Sequence, residues 1–102
     1  MPERLPNLHD ANLQSVRLDW ADGQCEIAFD GGPAFPGLFS LVWDDVQEIA
    51  VPRKYPWGES VSVLSAEYRE PSRYEFQMQS GDLIVVVAPN YSVKWTAAAS
   101  PR

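Results

Sequence analysis

The chain has 102 residues, room for one domain built on one core. Its composition, 45% hydrophobic with four Trp, four Tyr and four Phe, supplies a packed interior and excludes an intrinsically disordered chain. Eight Lys and Arg against 14 Asp and Glu leave a formal charge of -6, a field that repels phosphate backbones and anionic lipid, so neither nucleic acid nor a membrane is the expected partner.

Cys25 is the single cysteine, which removes an internal disulfide framework and a cysteine-based zinc site from consideration. Residues 1–7 carry no apolar stretch of the secretory-signal kind. The longest apolar run, residues 83–89, is far below the ~20 residues that a spanning helix needs. A cytoplasmic location and no bound cofactor are the resulting expectations.

Taken in chain order, residues 1–12 hold two prolines and no sustained period, and read as a lead-in to a β core over 13–90. From Val16 the pattern alternates strictly: Val16, Leu18 and Trp20 point one way, Arg17 and Asp19 the other. Cys25, Ile27 and Phe29 then alternate with Glu26, Ala28 and Asp30. A two-residue turn at Asp22-Gly23 joins the two runs as a hairpin in which Trp20 faces Cys25, Leu18 faces Ile27 and Val16 faces Phe29. That register also sets Asp19 opposite Glu26, an unfavourable like-charge pair.

Residues 30–37 form a loop by composition, and 38–43 a third strand with Phe39, Leu41 and Trp43 on one side. Asp44-Asp45 turns the chain into a fourth strand over 46–51. A second long connection, 53–59, is rich in proline and aromatics. Residues 60–70 are read as a strand because of their β-branched content and the following Pro71, although Ser60 is also suited to cap a short helix. Tyr74, Phe76 and Met78 alternate into a last hairpin whose turn is 80–82. Its return strand, 83–88, is apolar on both faces; Leu83, Val85 and Val87 are expected in the core and Ile84 and Val86 outside, under some cover. Residues 91–102 read as a tail, disordered from 97 onward. Six to seven short strands joined by hairpins imply a single all-β domain, an antiparallel β-sandwich or a partly open barrel.

The segments Leu8-His9-Asp10-Ala11, Pro56-Trp57-Gly58 and Met78-Gln79-Ser80-Gly81-Asp82 appear in this order over most of the chain. In this the sequence resembles a group of small bacterial proteins usually called hypothetical. That resemblance implies a bacterial, cytoplasmic origin and assigns no activity.

The inventory for catalysis is thin. His9, the only histidine, stands beside Asp10 and needs a nucleophile or companion ligands to act; the plainer role of the pair is to organise the turn into the first strand. Cys25 falls on the core face, where a thiol is inert. Asp44, Asp45 and Glu48 are too few and too irregularly spaced for a calcium loop. The stretch Arg53, Lys54, Tyr55, Pro56, Trp57 combines the residue types enriched at binding hot spots, set against the alternative that its Trp plugs an open end of the fold.

Three functions follow as expectations. The first is a non-catalytic protein-binding module, of immunity or inhibitor type, that meets a basic protein partner through Arg53, Tyr55 and Trp57 or through Asp44 and Asp45. The second is a self-associating subunit that dimerises through strand 83–88. The third is a small ligand-binding barrel or weak hydrolase with His9 and Asp10, or Tyr55, in a cleft.

Overall fold

The computed structural model describes residues 5–32 and 37–95. Within them the chain forms eight strands: β1 (Asn12–Asp19), β2 (Gln24–Asp30), β3 (Leu38–Trp43), β4 (Glu48–Ala50), β5 (Val63–Arg69), β6 (Arg73–Met78), β7 (Leu83–Val87) and β8 (Tyr91–Trp95). They build two four-stranded sheets, ordered β1-β2-β3-β8 and β4-β7-β6-β5, with every neighbour antiparallel. The all-β sandwich expected from the alternation is therefore present. The sheets are hydrogen-bonded to each other at one corner, where Asn12 bridges Ser62, rather than closed into a barrel.

One apolar cluster unites the two layers. Sheet one contributes Cys25, Ile27, Phe29, Phe39, Leu41 and Trp43, the residues that alternation assigns inward on β2 and β3. Sheet two contributes Tyr74, Phe76 and Met78 from β6. Aromatic rings carry the contact across the gap: Phe29 and Phe76 lie 6.0 Å apart, Trp43 and Phe76 5.8 Å, Trp43 and Tyr74 5.6 Å. Edge-on and tilted pairs of this kind add to the burial of their large surfaces.

Four expectations are corrected. The first hairpin pairs Leu18 with Cys25 and Val16 with Ile27, two residues displaced from the expected register, because Asp19 pairs with Gln24 and leaves a four-residue loop, Trp20 to Gly23. Gly23 takes a φ of +64°, Asp22 takes no positive φ, and the Asp22 amide donates to Asp19 Oδ1. The longer loop sets Arg17, rather than Asp19, opposite Glu26, replacing like charges by opposite ones. It also takes Trp20 out of the strand and out of the core.

The second correction concerns β7. Phe76 pairs with Ile84 and Tyr74 with Val86, so Ile84, Val86 and Ala88 enter the core, while Leu83 turns outward opposite Gln77. Val85 faces outward too, buried between Ala50 on β4 and Glu75 on β6. Third, β7 is an inner strand flanked by β4 and β6, so the edge-to-edge form of pairing through 83–88 has no free edge along residues 85–87, while the face-to-face form is untouched by this topology. Fourth, residues 91–95 are no tail: β8 pairs with β3 along its length, and Tyr91 packs on Trp43 and Tyr74. The stretch 97–102, expected to be disordered, lies outside the described residues. The fourth strand is shorter than expected, and 60–70 is a strand, beginning at Val63.

On the outer face of sheet two, β5 and β6 set Arg69 opposite Arg73 and Glu67 opposite Glu75. The like charges are reconciled by Arg69 bound diagonally to Glu75 and by two same-strand pairs, Arg69 with Glu67 and Arg73 with Glu75. These bonds hold the Glu75 carboxyl below its usual range, the Arg69 hydrogen bond most of all, then that of Arg73.

Candidate functional site

Strand β4 is one edge of sheet two and β5 the other, so the connection 51–62 has to cross the end of that sheet, where the β6–β7 turn lies. It is pinned there at successive points. The Lys54 and Tyr55 amides donate to Oδ1 and Oδ2 of Asp82 at 2.8 and 3.1 Å; the Trp57 amide donates to the Ser80 carbonyl; the Gln79 amide donates to the Ser62 carbonyl. Asp82 is itself buried and also accepts from the Ser80 hydroxyl. Burial alone would raise its carboxyl; the hydrogen bonds from the Lys54 amide, the Ser80 hydroxyl and the Tyr55 amide outweigh that and hold it below the ordinary range.

The strap presents the aromatic residues singled out in the sequence. Arg53 places its guanidinium 4.5 Å from the centre of the Tyr55 ring, and Tyr55 sits at a φ of +53°. Trp57 is 75% exposed, with one part of its ring laid over Gly81. The Trp thus covers the turn of the β6–β7 hairpin rather than plugging the core.

His9 and Asp10 lie at this same end. His9 Nδ1 is 2.9 Å from the Leu64 carbonyl, which accepts its proton, and Nε2 is 3.6 Å from Asp10 Oδ2. Asp10 Oδ1 accepts from Gln79 Nε2 at 2.7 Å, and the Asp10 amide donates to the Val63 carbonyl. Both side chains are exposed, and their partners fix the turn that leads from buried Leu8 to buried Ala11 and into β1. Segments 8–11, 56–58 and 78–82 are therefore joined in space: 8–11 to 78–82 through Gln79, and 78–82 to 56–58 through Trp57 on Gly81.

Asp44 and Asp45 stand elsewhere. They lead into the start of β4, whereas Arg53 follows its finish. Asp44 Oδ1 accepts from Gln24 Nε2 at 3.0 Å, and the Val46 amide donates to the Gly23 carbonyl, so the β3–β4 connection is tied to the β1–β2 loop. Between the two lies a cleft of about 340 Å³ lined by Leu18, Trp20, Val46, Gln47, Glu48 and Ile49. Trp20 forms its lip and is 87% exposed; Leu18 beside it is also exposed. Asp19, Asp22, Asp44, Asp45 and Glu48 belong to these same connecting segments and strand ends, and all are exposed.

Sequence reasoning misses this cleft because Trp20 continues the apolar alternation of β1, which points it to the core. The signal was the Asp19–Glu26 clash that the shorter turn would have created. Cys25 lies buried in the core as expected, and burial, with Glu26 adding, pushes its thiol up to about 11. Among the described residues no three His, Cys, Asp or Glu side chains gather as a metal site, and no helix is long and apolar enough to cross a membrane. Comparison with known proteins finds no family model, no curated protein and no solved structure that matches the chain.

Proposed function

We propose that this chain is a non-catalytic protein-binding module that meets a basic partner at the Trp20 cleft. The observation that carries this is a Trp 87% exposed at the lip of an apolar cleft, on a surface otherwise studded with carboxylates. An exposed Trp beside an apolar floor is the composition of a binding hot spot. Asp19, Asp22, Asp44, Asp45 and Glu48 around it, on a chain of net charge -6, favour Lys- and Arg-bearing surfaces and speed their encounter. The inert setting of Cys25 and the purely structural partners of His9 and Asp10 support binding over catalysis.

The test is selection of a displayed library of random short peptides on the wild-type protein, followed by rebinding to Trp20→Ala and to Asp44→Lys/Asp45→Lys. Enriched peptides that carry Lys or Arg beside apolar residues and lose affinity for both variants support the proposal. Peptides that bind the variants as well as the wild type, or that are acidic, overturn it.

A further inference from the structure

We infer that the partner binds as an added β-strand along the free edge of β1, an inference that rests on the binding function proposed above. β1 is an eight-residue edge strand whose only neighbour in its sheet is β2. Its first residues are covered on the outer edge, since the Asn12–Ser62 bridge and the Leu13 amide bonded to the Val61 carbonyl occupy them. Beyond the bulge between Leu13 and Ser15, no described residue pairs with that edge. Every second residue of 15–19 therefore turns its N–H and C=O away from β2 and toward the position of a new strand.

The two sides of this edge differ in a way that suits an alternating segment. Inward of β1's end lies the apolar cleft floored by Leu18, Val46 and Ile49. Outward lies a polar hollow formed by Arg17, Asp19, Gln24, Glu26 and Lys94, with Leu18 and Trp20 shared by both. An extended peptide here would pair its backbone with β1, drop alternate apolar side chains toward the cleft and turn its other residues to the polar side. Its occupant is an extended segment of a basic protein. Charge decides this against a second copy of the chain, which would bring the same exposed Asp19, Asp22, Asp44 and Asp45 against themselves.

The probe is a capped peptide alternating lysine and valine, compared with the same peptide N-methylated at alternate residues, which removes its backbone donors on one edge. Binding is followed by tryptophan emission and by amide hydrogen exchange of the protein. The expected result is binding that slows exchange at alternate amides of residues 15–19. Methylation of the pairing edge should weaken it about 2- to 10-fold for each hydrogen bond removed. Binding abolished by Trp20→Ala that leaves those amides unprotected, and is indifferent to methylation on either edge, would overturn strand addition and leave the cleft as the contact site. Absence of binding to wild type by this peptide would overturn strand addition; if the displayed library also yields no peptide sensitive to Trp20→Ala, the binding function falls with it.

Discussion

The ring of Trp57 rests on Gly81: a Cβ at position 81 would stand 2.5 Å from Trp57 Cε3 and 3.0 Å from Pro56 Cγ, and Gly81 holds a φ of +99°. Gly81→Ala thus meets two penalties, a backbone conformation that L-residues resist, costing about 1–3 kcal/mol, and displacement of the ring. In a Trp57→Ala background the backbone penalty and the tight contact with Pro56 remain, but the displacement of the ring does not. Urea unfolding of the two single variants and the double should show a coupling of at least about 0.5 kcal/mol. Strict additivity would mean the ring does not rest there.

Asp82 makes a pH prediction. Its folded carboxyl is held below the ordinary 3.8, so the stability it contributes is fully present above that value and is lost as pH falls through the lower folded value. Wild type should lose stability more steeply than Asp82→Asn below about pH 4. Near neutrality Asp82→Asn should be the less stable, because an amide offers the Lys54 and Tyr55 amides one acceptor oxygen instead of two. Parallel acid limbs in denaturant titrations would count against this account.

Ending the chain at Asn90 removes β8, uncovers the outer edge of β3 and strips Tyr91 from Trp43. The shortened chain should be strongly destabilised and aggregate through the exposed edge. Circular dichroism melts and light scattering measure both effects; a monomer as stable as the full chain would contradict the role given to β8.

Trp20 and Trp43 should behave as opposites. Trp20→Ala is expected to change unfolding free energy by no more than about 0.5 kcal/mol, since its side chain is almost wholly in water. Trp43→Ala, at the centre of the aromatic cluster, should cost about 3–5 kcal/mol.

Much of the fold is legible in the sequence where alternation and turn chemistry speak together. Phe39, Leu41 and Trp43, and likewise Cys25, Ile27 and Phe29, are buried as a period of two demands. Alternation alone does not set where a strand stops. Trp20 keeps phase with Leu18 yet lies in a loop, and only the charge opposite Glu26 separates the two registers. Strand 83–88 is apolar throughout, so its hydrophobicity names no inner face; the turn geometry decides, and it selects Ile84 and Val86. Tyr91, Val93 and Trp95 alternate with Ser92 and Lys94, but so short an edge strand beside an alanine-rich stretch resembles a tail until β3 is seen to need a neighbour. The Trp20 cleft lies where the β1–β2 loop meets the β3–β4 connection, a crossing that alternation along one strand does not encode.

Sheet two is a contiguous piece of the sequence, β4 to β7, inserted between β3 and β8 of sheet one. During synthesis, β3 emerges from the ribosome well before its second neighbour exists. The β5–β6 and β6–β7 hairpins join strands that are neighbours in sequence and can form while the chain is still being made. Pairing of β3 with β8 must wait until the whole intervening sheet has been delivered, and it closes a long loop at an entropic cost that local hairpins avoid. The order of translation thus makes completion of sheet one a late event, and leaves β3 as the stretch a nascent-chain chaperone would need to shield.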